Sequence, residues 1–227
     1  MQWLIQFFSS GIGKKVLMSL TGLFLILFLL VHLVGNLQLL NSDGGQAFNL
    51  YSDFMVGNPL IKFISISLYI FILLHAILGM IIWRYNTSSK GTSYEVQKSP
   101  ETTWASKNMA LLGILIFAFI LLHMGDFWYK MKFTDTLNLV TYDGVTVQDL
   151  YARVAVAYQE LWIVVFYCIG LFALSFHLWH GFQSAFQTLG LNHKKYSPSI
   201  KTLGKMYAIL VPAAFAVIPI YHYFFMK

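Results

Sequence analysis

The sequence predicts an all-α membrane protein built from five transmembrane helices. Composition supports this first: 58% of the 227 residues are hydrophobic and 11% are charged, against roughly 25% charged in soluble domains. Patterning supports it second, because apolar runs close to the roughly 20 residues needed to cross a bilayer recur five times. The formal net charge of +6 is not a nucleic-acid footprint, since the basic residues flank these runs. The one cysteine, Cys168, lies inside an apolar run, which excludes any motif that needs paired cysteines.

The elements follow in order. The opening MQWLIQFFSSGIGKK is not a secretory signal, because its lysines follow the first apolar stretch and no small-residue cleavage site ends the next one. Residues 1–10 are expected to be retained and to lie in the membrane interface as a short amphipathic helix. The first span covers about 14–40 and is uncharged from Val16 to Leu40. Pro59 opens the second, about 59–84, with an uncharged run from Phe63 to Trp83. The third, about 104–130, has Lys107 near its start and Asp126 near its end. The fourth, about 158–190, is uncharged from Leu161 to Leu191 and is too long to be membrane-bound throughout. The fifth, about 204–226, contains Pro212 and Pro219, where kinks are expected. Residues 1–227 thus form a single transmembrane domain with its termini on opposite sides.

Loop charges choose the direction. The N-terminal segment, the second loop and the fourth loop carry Lys14, Lys15, Arg84, Lys90, Lys98, Lys107, Lys194, Lys195, Lys201 and Lys205. The other side carries Lys62, Lys130, Lys132, Arg153 and Lys227. The positive-inside rule therefore puts the N-terminus in the cytoplasm.

Histidines are the informative residues. His32, His75, His123, His177 and His180 fall within spans, His222 near the end of the fifth, and His193 in a basic loop. A single intramembrane histidine can be a packing residue bonded to a neighbouring helix or a functional one. One in each of four consecutive spans is not what independent packing roles favour. With a rise of about 1.5 Å per residue, His32 and His123 each lie about 24 Å from the cytoplasmic start of their helices. His75 lies about 14 Å from the cytoplasmic end of its span, and His177 about 26 Å from the outer end of its own. The four rings form two levels, His32 with His123 outside and His75 with His177 inside. A bare zinc or copper ion would want three or four ligands, usually with a carboxylate or thiolate among them. Two imidazoles per level are instead what a six-coordinate heme needs, and the reading is two b hemes.

Gly35, Gly79, Gly125 and Gly181 follow the four histidines closely. They would let a flat macrocycle approach the backbone; the ordinary alternative is small-residue helix packing, against which stands their repetition beside each histidine. In LSFHLWHGFQSAFQTLG, His180 lies about 4.5 Å deeper than His177, a poor match to His75. His177 is therefore taken as the ligand, and His180 as a group at the edge of a heme or quinone site or a packing residue.

The stretches GIGKKVLMSLTGLFLILFLLVHLVGN, LLHAILGMIIW, LLHMGDFWYKMKF and FHLWHGFQSAFQTLG resemble the five-helix, diheme cytochrome b subunit that anchors succinate dehydrogenase or fumarate reductase, over essentially the whole chain. In that family a glycine stands four residues after the fourth ligand and another thirteen after it, matching His177, Gly181 and Gly190. The resemblance implies a flavoprotein and an iron–sulfur subunit on the cytoplasmic face of a bacterial inner membrane, and menaquinone as the quinone. It also implies electron relay through the inner and outer hemes, with no dicarboxylate site in this chain. One departure stands out. Some fumarate-reducing relatives have a glutamate two residues before the fourth ligand, where this chain has Ser175. That weakens a proton pathway and leans toward succinate oxidation.

Polar candidates for quinone contact or for tuning the hemes are Ser19, Arg84, His180, Gln183 and Gln187 at the inner level, and Asn36, Gln38 and Asp126 at the outer. Each could equally cap a helix or face headgroups. The competing functions are a cytochrome b anchor for another quinone-linked dehydrogenase and a proton-coupled transporter with a histidine relay. The repeats and paired broken helices common in transporters are not evident in the sequence.

Overall fold

A computed structural model describes residues 2–88 and 104–226. Lys90, Lys98 and Lys227, used above to choose the direction, lie outside the described residues. The chain starts with α1 (Gln2–Ser9), followed after Ser10 by α2 (Gly11–Leu37) and a 3-10 turn, Gln38–Leu40. Ser10 caps α2, its hydroxyl accepting from the Gly13 amide at 3.0 Å. A Cβ at Gly13 would run into the Phe7 carbonyl, so glycine is what lets α1 fold back there. Helix α1 buries none of its residues, and Trp3, Ile5 and Phe8 stay exposed.

Next come α3 (Gln46–Gly57), α4 (Pro59–Ser88), α5 (Trp104–Lys107) and α6 (Met109–His123). A π-helical turn, Met124–Trp128, joins α6 to α7 (Tyr129–Phe133). Strands β1 (Leu139–Tyr142) and β2 (Val145–Gln148) precede α8 (Leu150–Tyr158), α9 (Leu161–Thr188) and α10 (Ser197–Phe225). Among the described residues, five helical stretches are long and apolar enough to cross a membrane: Gly11–Leu40, Pro59–Ser88, Met109–Phe133, Leu161–Thr188 and Ser197–Phe225. The protein is an all-α, multi-pass membrane-type bundle. Its third stretch starts later than sequence placed it, because Asn108 separates α5 from α6.

Helix α9 is the hub. It packs against α10, α6 and α2, while α2 also packs against α4. The most apolar window is 39% buried in α9 and 33% in α10, but 11% in each of the other three stretches, which turn most of their surface outward. At about 1.5 Å per residue, the 28 residues of α9 exceed a hydrocarbon layer of about 30 Å.

Helix α10 runs uninterrupted through Pro212 and Pro219. Pro212 has no N–H, so the Ala208 carbonyl one turn earlier loses its helical donor. The Ser175 hydroxyl of α9 donates to that carbonyl at 2.6 Å. Ser175 thus satisfies a proline defect in the neighbouring helix.

Away from the N-terminal, or basal, end the bundle is capped by elements that hydropathy does not reveal. Strands β1 and β2 pair antiparallel, Val140 opposite Val147. Asp143 and Gly144, both at positive φ, turn the hairpin, as an Asp-Gly pair favours. This hairpin is the one departure from all-α structure among the described residues. Asn49 of α3 is 1% exposed and knits the cap together. Its amide donates to Tyr142 Oη (3.0 Å) and Asp149 Oδ1 (2.9 Å), and its oxygen accepts from the Tyr151 amide (2.8 Å). Beneath lies a core of Leu39, Phe48, Phe127, Leu150, Tyr158, Tyr167 and Ile218. Burial pushes the Tyr158 phenol well above its ordinary pKa.

Candidate functional site: two histidine pairs

Four helices each bring one imidazole to the bundle interior, and the rings meet in two pairs. On the cap side, His32 of α2 and His123 at the end of α6 have ring centroids 5.8 Å apart and planes at 85°. Toward the basal end, His75 of α4 and His177 of α9 are 6.1 Å apart with planes at 64°. Both pairs thus join alternate spans, the first with the third and the second with the fourth. Aromatic side chains wall the cap-side pair. Phe28 stacks on His32 at 5.1 Å and Phe119 on His123 at 5.7 Å, and Phe127 approaches His123 edge-on.

The Nδ1 atoms are held differently. His75 Nδ1 is 3.2 Å from Thr21 Oγ1, and His123 Nδ1 is 3.1 Å from Tyr167 Oη. The Asn36 amide donates to the His32 carbonyl at 2.8 Å and lies 3.3 Å from its Nδ1. His177 Nδ1 is buried without a hydrogen-bond partner among the described residues. A Cβ at Gly22 would come within 3.2 Å of His75 Cε1, so glycine lets that ring lie close against α2. Thr21, Gly22 and Tyr167 were not singled out from the sequence. The relevant signal, small and hydroxyl residues at helix contacts, does not say which neighbour they face.

The glycines after the histidines need correcting. Gly35 does not open space for a macrocycle: the Tyr51 ring fills it, 2.5 Å from where a Cβ would stand. Gly79 faces the Met18 methyl at 3.3 Å. Gly125 and Gly181 face open space.

Directly after His123 the helix widens into the π-helical turn, a feature frequent at functional sites. Asp126 within it accepts from Lys130 at 2.6 Å and pairs with Arg153 of α8, so its carboxylate is already engaged.

The other sequence candidates divide. His180, Gln183 and Gln187 line one polar cleft of about 430 Å³ at the basal end, together with Ser106, Ser197 and Lys201. Ser19 is buried and donates to the Lys15 carbonyl at 2.9 Å, and Arg84 is exposed near the end of α4; neither lines the cleft. Gln38 begins the 3-10 turn, its carbonyl accepting from the Asn41 amide. His222 is fully buried, its Nε2 donating to the Leu39 carbonyl at 3.0 Å, and serves as a strut between α10 and that turn. His193 sits in the exposed basal loop. Among the described residues no group of three or more His, Cys, Asp or Glu side chains could hold a bare metal ion.

No family model matches the chain, and neither does a curated protein or a solved structure.

Proposed function

We propose that the chain is a diheme cytochrome b that anchors a succinate:quinone oxidoreductase and relays electrons between an iron–sulfur subunit and a quinone. The observation that carries the diheme part is the spacing of the two pairs; the succinate:quinone oxidoreductase and its iron–sulfur subunit come from the resemblance. Imidazoles on opposite faces of one iron, each with a metal–nitrogen bond of about 2.0 Å, have ring centroids about 6 Å apart. The pairs stand at 5.8 and 6.1 Å. Each pair offers two neutral donors and no third ligand, which suits a group that brings four nitrogens of its own.

His32 and His123 would hold one heme b, His75 and His177 the other. Heme supplies one-electron redox chemistry when bound; the chain's own part is ligation, burial and orientation. Phe28 and Phe119 keep water from the cap-side imidazoles. The basal cleft, with His180, Gln183 and Gln187, provides donors for a quinone carbonyl or a heme carboxylate. The resemblance adds menaquinone as the quinone, a flavoprotein as the further partner, and a bacterial inner membrane with the basal end cytoplasmic. The exposed basal residues Lys15, Lys107, Lys194, Lys195, Lys201 and Lys205 would then face the iron–sulfur subunit.

A pyridine hemochrome assay on the purified chain tests the reading. Two b hemes per chain are expected, and one or none refutes it. Crosslinks that put the iron–sulfur subunit on the hairpin between Asp135 and Asp149 would reverse the orientation.

A further inference from the structure

Thr21 has one proton to give, and the helix around it takes that proton. Its Oγ1 lies 2.9 Å from the Leu17 carbonyl and 3.1 Å from the Met18 carbonyl, both of which can only accept. Threonine in a helix commonly bonds back in this way. The same oxygen is 3.2 Å from His75 Nδ1. When the hydroxyl proton is directed at a carbonyl, the oxygen accepts from the ring and His75 carries its proton on Nδ1; the ring also bonds the Met18 carbonyl, which can only accept. The lone pair is then on Nε2. Gly22, the next residue, leaves room for the ring to settle there, since a Cβ would stand 3.2 Å from Cε1 and 3.7 Å from Nδ1. Thr21 is itself 4% exposed, so water does not compete for either bond.

We propose that Thr21 is a positioning residue for the basal pair: it fixes the Nδ1–H tautomer of His75 and, by accepting that proton, makes Nε2 a stronger electron donor. The proposal rests on the heme reading for its consequence, and on the back-bonded Thr21 hydroxyl for its tautomer. A hydrogen bond from the far nitrogen of a ligating histidine raises its basicity, and losing such a bond typically changes metal affinity 10- to 100-fold. A more basic imidazole favours the ferric over the ferrous state. Removing the acceptor should therefore raise the midpoint potential of one heme. Among the described residues nothing bonds Nδ1 of its partner His177.

The test is a potentiometric titration of the purified protein, following heme absorption and low-spin EPR in Thr21→Val, Thr21→Ser and Gly22→Ala. Thr21→Val keeps the shape and removes the hydroxyl. It should raise one midpoint and leave the other in place; a tenfold change in ferric preference corresponds to about 59 mV for one electron. Thr21→Ser retains the acceptor and should titrate like the unaltered protein. Gly22→Ala keeps the hydroxyl but crowds the ring, and should change the EPR signal of the same heme. If Thr21→Val loses that heme outright, retention in Thr21→Ser still assigns the effect to the hydroxyl. Two results overturn the proposal: both midpoints unmoved in Thr21→Val at full heme content, or Thr21→Ser as impaired as Thr21→Val. An unaltered chain without heme would instead defeat the proposed function, which the hemochrome assay reads separately.

Discussion

Replacing Ser175 by alanine removes the donor that satisfies the Ala208 carbonyl, orphaned by Pro212. Ala208 is 0% exposed, so water cannot take over. A buried acceptor left without a partner costs about 1–3 kcal/mol, whereas interhelical side-chain bonds in membrane proteins average about 0.6 and reach about 1.7 kcal/mol. The lower average reflects unfolded states that find other partners. A carbonyl next to a proline has no such helical fallback, which places Ser175→Ala at about 1.5 kcal/mol, the upper end of the measured range. Pro212→Ala supplies the contrast, because residue 212 then has an N–H for the Ala208 carbonyl. In that background Ser175→Ala should cost about 0.5 kcal/mol or less, giving a coupling of about 1 kcal/mol. Reversible unfolding of the four variants in bicelles measures it. A coupling of zero would show that the bond does not repair the proline, and the account of Ser175 would fall with it.

On the proposed diheme reading, His177→Ala should abolish low-spin signal from a basal heme and leave His75 unpaired, whereas His180→Ala should keep both hemes, because the ring facing His75 is His177. Absorption and EPR spectra of the two variants decide, and the opposite pattern would exchange their roles. Asn49→Ala should destabilise the cap by about 1–3 kcal/mol, since it deletes three hydrogen bonds and leaves the half-buried Tyr151 amide without that acceptor. Thermal unfolding would show it, and an unchanged midpoint would place the stability of the cap elsewhere. If the pairs hold hemes as proposed, ring planes at 85° and 64° would act on different iron d orbitals and bring them close in energy. The ferric EPR of the His32–His123 heme should therefore be at least as anisotropic as that of the other, checked by assigning signals in the His177→Ala variant.

Much of the bundle was legible because the bilayer reduces a helix to one variable, depth. Counting rise per residue levels His32 with His123 and His75 with His177, and those are the rings that meet. Depth says nothing about azimuth, and that is where the reading failed. Thr21 and Tyr167 matter because of the direction in which they point, which packing decides. Gly35 was given to a macrocycle because nothing in the first span reveals that Tyr51 of α3 would fill it. The cap escaped for another reason: its elements are short and only half apolar. Even so, the Asp143–Gly144 pair between alternating residues was a readable hairpin signal.

The pairing of alternate spans has a consequence for how the molecule is made. His32 meets His123 and His75 meets His177, so the two links interleave along the chain like stitches that cross. No two consecutive helices contain a complete pair. As the chain is threaded into the bilayer, the cap-side pair can close only with the third helix, and the basal pair only with the fourth. A chain arrested after three helices would therefore hold one finished pair and one solitary imidazole, His75, waiting in the membrane for α9.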